Sequence, residues 1–184
     1  MGEQKDRMLR GEWYLDEPDL VEDRQRCRRA LDRFNATDAD DEAGRRGILT
    51  GLLGGFGPGA TVLPRFQCSY GYQTRLGANS FVNHDAILLD DAAITVGDDV
   101  RIGPRAQLLT ALHPVEDHER RRAGWERAAP ITIGDNAWLG GGVIVCPGVT
   151  VGGDTVIGAG SVVVRDLPDR VFAAGNPARV IRRL

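Results

Sequence analysis

The sequence predicts a mainly β fold: a three-sided parallel coil of short strands, headed by a small helical cap and interrupted by one protruding loop. Two observations predict it. The first is that Ile133, Leu139, Val145, Val151, Ile157 and Val163 stand six residues apart, with glycine after four of them at Gly134, Gly140, Gly152 and Gly158. Small or β-branched residues recur four places on, at Ala137, Val143, Val149, Thr155 and Ser161. Helix and strand periodicities do not explain a period of six. A coil with three equal short sides does. The second is that the spacing recurs upstream, in Leu76, Val82 and Leu88 and again in Val96, Ile102 and Leu108, with a two-residue slip at Asp90-Asp91. Repeats of fixed period mark a solenoid. The competing reading, a β-sandwich, needs polar turns at varied spacing.

The elements follow in order. Pro18-Asp19-Leu20-Val21-Glu22 reads as a helix start, with Asp19 as N-cap and Glu22 three places later. Leu20, Cys27, Leu31 and Phe34 lie on one helix face, and Arg24, Arg26, Arg28, Arg29 and Arg33 decorate the others. Asn35-Ala36-Thr37-Asp38 breaks this helix. A second helix carries Ile48, Leu49, Leu52 and Leu53 on one side and stops at Gly54-Gly55-Phe56-Gly57-Pro58-Gly59. Residues 1–57 are therefore expected to form a two-helix cap, and 58–184 the coil with a C-terminal tail. Each side of the coil is a short parallel strand with an inward apolar residue, and glycine permits the corner. Stacking at about 4.8 Å gives every strand partners above and below. Val143, Val149, Val156 and Val162 are candidates for the flat walls. The period lapses over 109–130, where His113-Pro114-Val115-Glu116-Asp117-His118-Glu119-Arg120-Arg121-Arg122 is too polar for a core and must bulge out.

Composition narrows the function. With 184 residues, 42% hydrophobic and 27% charged, the chain has the make-up of an ordinary globular protein. A net charge of -3 gives no support to nucleic-acid binding. No apolar run is long enough for a bilayer, and MGEQKDRMLRGEW lacks a secretory apolar segment, so a cytoplasmic protein without membrane contact is expected. Cys27, Cys68 and Cys146 have no CxxC spacing and read as reduced, mostly buried thiols.

His113 stands where the wall opens into the loop. Histidine titrates near neutrality and suits general-base work, such as deprotonating a hydroxyl. Taken alone, it is equally a loop histidine capping the turn before Pro114. Asn83 offers an amide for hydrogen bonding, or else is a coil-corner residue of left-handed geometry.

The stretches MLRGEWYLDEPDL, FQCSYGYQTRLGANSFVNHDAILLDD, LLTALHPVEDHERRRAGWERAAPITIGDN and AAGNPARVIRR, together with the hexads, resemble the maltose and galactoside O-acetyltransferases of the hexapeptide-repeat acyltransferases. The resemblance covers nearly the whole chain. It implies a left-handed parallel β-helix, a hand opposite to the usual parallel crossover. It also implies transfer of an acetyl group from acetyl-CoA to a sugar hydroxyl, by direct attack in a ternary complex with no acyl-enzyme. The family's catalytic histidine falls on His113, and its pocket asparagine on Asn83. Family acceptor-binding positions fall on Asp16, Ser69, Asp91 and Glu126. Ser69 is serine as in the galactoside enzymes, where maltose-like relatives often carry aspartate. Asp85 stands where relatives often have asparagine. Family positions for the pantetheine arm fall on Gly141 and Ala159, where small residues allow close approach. Val164-Arg165 matches a pair near the adenine. Arg179 and Arg182 match arginines that meet the nucleotide phosphates, for which guanidinium is well suited.

The resemblance further implies a cyclic homotrimer with sites at subunit junctions and no required metal. Two other readings share the fold. His113 and His118, five apart, with His84 would suit a γ-carbonic-anhydrase-like metal site, but the charged run around His118 is a poor setting for one. A purely structural repeat subunit would have no need of the loop. Cys68 and Cys146 have no histidine nearby in sequence and read as structural rather than acylated.

Overall fold

A computed structural model describes residues 2–184 and shows three walls of short strands stacked as a prism. The first wall stacks β1 (Gly55–Phe56), β4 (Thr74–Leu76), β7 (Ile94–Val96), β12 (Ile131–Ile133) and β15 (Thr150–Val151). The second holds β2 (Thr61–Val62), β5 (Phe81–Val82), β8 (Arg101–Ile102), β13 (Trp138–Leu139), β16 (Val156–Ile157) and β18 (Val171–Gly175), closed by β19 (Ala178–Arg183). The third holds β3 (Phe66–Cys68), β6 (Ala86–Leu89), β9 (Gln107–Leu109), β14 (Ile144–Val145) and β17 (Val162–Val163). Pairing within each wall is parallel, in a left-handed β-helix, and only β19 runs antiparallel to its neighbour.

The register explains the sixes. Leu76 pairs with Val96, Val82 with Ile102, and Leu88 with Leu108, so equal positions in successive turns stack on one another. All twelve hexad side chains are buried. Each such burial contributes about 1.5–3 kcal/mol. The residues four places on are also interior: Ala137, Val143, Val149, Thr155 and Ser161 are buried. Val143 and Val149 are therefore core residues, and only Val156 and Val162 of the four wall candidates face outward, half-buried. A residue two places before the next hexad enters the corner with its side chain turned in, which is why small residues recur there.

The coil starts one turn earlier than the period indicates. Phe56, Val62 and Cys68 are also six apart and take the same inward positions. Their mixed residue types hid the spacing.

Between the first and second walls, glycines stack at the corners. A Cβ on Gly97 would lie 2.2 Å from Asp135 Oδ1 and 2.9 Å from its backbone N. The same Asp135 Oδ1 accepts the Asp98 amide at 2.9 Å, so the corner is closed by carboxylates as well as by backbone.

Among the described residues, the cap has three helices rather than two: α1 (Glu3–Leu9), α2 (Pro18–Ala36) and α3 (Glu42–Leu52). Glu17 is the N-cap of α2 with Pro18 at its first position, not Asp19. The reason lies in α1. The Gly2 amide donates to Asp19 Oδ2 at 2.8 Å and the Lys5 amide to Glu17 Oε1 at 2.8 Å, so both carboxylates cap α1 from across the turn. Phe34, Leu31, Cys27 and Leu49 pack on the coil's first turn, continuous with its core. The 109–130 segment is a hairpin, β10 (Ala111–Leu112) with β11 (Arg127–Ala128), carrying a short helix α4 (His118–Arg122). Among the described residues, no helix is long and apolar enough to cross a membrane.

Candidate active site

Every early departure from the six-residue spacing falls on the seam between the third and first walls. Cys68 to Leu76 is eight residues, Leu88 to Val96 is eight, and Leu108 to Ile133 is twenty-five. Stacked turns place these insertions one above another. They carry Ser69, Asp90-Asp91 and the His113 hairpin.

The carboxylates on this seam are held by hydrogen bonds. Ser69 Oγ donates to Asp91 Oδ2 at 3.1 Å. Burial raises the Asp91 pKa, the Ser69 bond opposes that, and the Glu126 charge adds to it. Beneath it, Asp90 is fully buried, and its Oδ1 accepts from Ser69 N at 3.0 Å and Tyr70 N at 2.8 Å. Burial pushes Asp90 up to about 6. Thr74 lies close enough to draw it down, yet Asp90 Oδ2 and Thr74 Oγ1 have no well-formed hydrogen bond among the described residues.

Glu126 meets the cap. Its backbone pairs with Tyr14 in an antiparallel bridge, at 2.8 and 3.0 Å, and Tyr14 OH donates to Glu126 Oε2 at 3.0 Å. Tyr14 is buried, and burial with the Asp91 and Glu126 charges drives its pKa up, so it stays a neutral donor. Glu126 Oε1 lies 4.0 Å from His113 Nε2. His113 Nδ1 faces the Trp125 carbonyl at 3.3 Å. With the proton on Nδ1, Nε2 is free to accept one. Asp16 is bound by Arg24 Nη2 at 2.7 and 2.5 Å, and Arg24 Nη1 donates to Tyr70 OH at 2.8 Å. Ser69, Asp91, Glu126, Asp16 and His113 thus belong to one seam and the cap edge over it.

Asn83 does not join them. It follows β5, on the seam between the second and third walls, at the other edge of the third wall. Its Oδ1 accepts the His84 amide at 2.8 Å, leaving Nδ2 to donate elsewhere. The left-handed corner is at Asp85 (φ 60), so the corner explanation applies to Asp85 and not to Asn83. Gly141 and Ala159 stand on Asn83's seam: Arg105 N donates to His84 O, Gly142 N to Pro104 O and Gly160 N to Gly141 O, a column of corners. Arg179, paired with Ala174, sits near that column, while Arg182 lies farther along β19 with its guanidinium over Phe172. Val164 and Arg165 follow β17 and are exposed on the His113 seam. His84 and His118 are apart from His113's ring: His84 is on the Asn83 seam, and His118 Nδ1 accepts from Arg121 Nη2 at 2.9 Å.

Sequence reading missed Tyr14, Tyr70, Arg24 and the Trp125 carbonyl. Tyr70 follows Ser69 on the seam and receives Arg24 from α2, while the bridge between the cap and the hairpin brings in Tyr14 and the Trp125 carbonyl.

A hexad prism with a helical cap and a histidine-bearing hairpin defines a hexapeptide-repeat acyltransferase. Family models agree: the maltose acetyltransferase hexapeptide capping motif matches residues 7–57, and the bacterial transferase hexapeptide (six repeats) matches 130–165. A crystal structure of a maltose O-acetyltransferase from Clostridium difficile 630 superposes with a TM-score of 0.96 at 43% identity, covering 98% of this chain and 97% of that one. A galactoside acetyltransferase in complex with coenzyme A gives 0.94 at 37% identity, covering 100% of this chain and 92% of that one. Nodulation protein L of Rhizobium meliloti (strain 1021) is 43% identical over 178 residues, 96% of this chain and 97% of its own length. The chain belongs to the maltose and galactoside O-acetyltransferase family of hexapeptide-repeat proteins, and it is an acetyltransferase.

Proposed function

We propose that the protein transfers an acetyl group from acetyl-CoA to a sugar hydroxyl, at a cleft between copies in a cyclic homotrimer. The observation that carries this reading is the split between two seams. His113, Glu126, Asp91 and Ser69 occupy one corner of the prism, and Asn83, Gly141 and Ala159 another. Side-by-side packing of prisms brings the first corner of one copy against the second corner of the next, and cyclic symmetry repeats that contact without leaving a free edge. Coenzyme A in the galactoside relative supports the donor class.

In this reading the acceptor hydroxyl lies between Asp91, Glu126 and His113. The carboxylates accept from neighbouring sugar hydroxyls. Nε2 of His113 takes the hydroxyl proton as that oxygen attacks the thioester carbonyl. Asn83 of the neighbouring copy donates Nδ2–H to the oxyanion. The C–S bond then breaks, and the imidazolium returns its proton to the leaving thiolate. Gly141 and Ala159 leave backbone open to the amide-rich donor arm, Val164 and Arg165 flank its nucleotide end, and Arg179 and Arg182 meet its phosphates.

The test is His113→Ala. Acetyl transfer to a panel of sugars, read by released thiol, falls by about 10²–10⁴-fold. Acetyl-CoA affinity and the trimer, read by calorimetry and light scattering, stay unchanged. Near-normal turnover in that variant would rule out the base assignment.

A further inference from the structure

The hairpin that carries His113 is buried at its base, at Pro114 and Ala128, but its tip has little to hold it by burial. α4 contributes no buried residue, and Val115 is 78% exposed. Beside the Tyr14–Glu126 bridge, which holds the peptide that carries the Trp125 carbonyl, an alternating set of cations and indoles grips the tip. Arg120 lies over Trp125 at 4.7 Å and over Trp13 at 5.7 Å, measured from its guanidinium carbon to the ring centres. Arg7 covers Trp125 at 5.8 Å, and Arg127 covers Trp13 at 5.2 Å. A planar guanidinium can lie flat between two rings, where an ammonium offers only a compact point charge. The stack bridges two parts of the chain, since Trp13 precedes Tyr14 on the cap and Trp125 precedes Glu126 on the hairpin. Arg7 Nε also donates to the Trp13 carbonyl at 2.7 Å, tying α1 to the same point.

The stack matters to the base because of one atom. The Trp125 carbonyl is the partner of His113 Nδ1, and at 3.3 Å that contact is at the long end of hydrogen bonding. A small shift of Trp125 breaks it. Without that partner the imidazole distributes its proton over both nitrogens and rotates freely. The ring is half in solvent, with 54% of its side chain exposed, and its other neighbour, Glu126 Oε1, stands 4.0 Å from Nε2, beyond hydrogen-bond reach.

We propose that Arg120 is a positioning residue: clasped by Trp13 and Trp125, it seats the Trp125 carbonyl against His113 Nδ1 and so keeps Nε2 directed at the acceptor. The N-terminal cap thereby governs the reactive state of a residue about a hundred positions away in sequence. This rests on His113 acting as base, but its structural part is testable without activity.

The experiment uses the full chain with ¹⁵N-labelled histidine and three variants: Arg120→Ala, Arg120→Lys and Arg122→Ala. Arg122, exposed on the same short helix, controls for loss of charge. Imidazole ¹⁵N shifts report the tautomer; kcat, both KM values and the pH–rate profile report the reaction. Arg120→Ala converts the His113 signal from an Nδ1–H form to a mixture and lowers kcat about tenfold or more, with acetyl-CoA KM within about twofold. Arg120→Lys restores part of both, and Arg122→Ala changes neither. The proposal is overturned if Arg120→Ala leaves the tautomer unchanged, whatever happens to stability, or if Arg122→Ala reproduces its effects. Activity surviving in His113→Ala would instead overturn the base assignment, while the ¹⁵N result would still decide the role of the stack.

Discussion

Ser69 and Asp91 come from successive turns of the coil, and the 3.1 Å bond from Ser69 Oγ to Asp91 Oδ2 links the two insertions that interrupt its period. The bond joins the seam's two acceptor candidates, and it fixes which oxygen of Asp91 remains open. Ser69→Ala therefore raises acceptor KM about three- to tenfold, the worth of one hydrogen bond, and leaves acetyl-CoA affinity alone. An unchanged acceptor KM across the sugar panel would remove Ser69 from the binding surface.

Asp90, beneath that pair, makes stability pH-dependent. Its folded pKa is raised to about 6 by burial, above the ordinary carboxylate value. The folded state then holds a proton that the unfolded chain releases, so unfolding becomes easier as pH rises. The advantage of the protonated carboxyl is complete below about pH 4 and is lost as pH climbs through about 6, a difference of about 2–3 kcal/mol. Asp90→Asn keeps an acceptor for Ser69 N and Tyr70 N and adds a donor toward Thr74. Denaturant melts from pH 4 to 8 should show a downward slope in the wild type and a flatter curve in this variant. Parallel curves would mean that Asp90 does not titrate in that window.

Gly97→Ala tests the corner between the first and second walls. The added methyl would sit 2.2 Å from Asp135 Oδ1 and 2.9 Å from Asp135 N. The backbone has to shift, at a cost of about 1–3 kcal/mol. Gly47 offers the contrast, because nothing lies within 4 Å of a Cβ there. Gly47→Ala should raise Tm, as alanine does inside a helix, and Gly97→Ala should lower it. Tm changes of the same sign would contradict this geometry.

Arg179 and Arg182 separate by position on β19. Arg179 lies opposite Ala174, near the column that includes Ala159, and Arg182 opposite Phe172. Alanine at Arg179 should weaken acetyl-CoA binding about tenfold, the loss of one charge-assisted bond to phosphate, and alanine at Arg182 should weaken it too. Calorimetric titration of coenzyme A and of a pantetheine arm without its nucleotide distinguishes the cause. The arm alone should bind both variants as it binds the wild type.

Much of this molecule was legible before any coordinates. A period of six admits few backbones, so the prism, its hexad side chains and a protruding loop all followed from Leu76 onward, while the pairing of that loop as a hairpin did not. The first turn escaped because Phe56, Val62 and Cys68 differ in size and chemistry. α1 escaped because its capping partners, Glu17 and Asp19, lie beyond it in sequence and looked like the start of α2. Which of the wall valines face outward was open in the sequence, because valine serves equally as a corner filler and a surface residue, and the fold turns Val143 and Val149 inward.

The sequence by itself determined the walls, because a hexad repeat is a local rule that each turn obeys independently. Where the chemistry gathers was decided only in three dimensions. Stacking converts insertions far apart in the chain into neighbours, so Ser69, Asp91 and His113 share one seam while Asn83, closer in sequence to Ser69 than His113 is, stands a wall away. The Tyr14–Glu126 bridge, the Trp125 carbonyl and the arginine between two indoles have no local signature. They exist because the cap folds back over the hairpin, and that contact depends on the tertiary path rather than on any repeat.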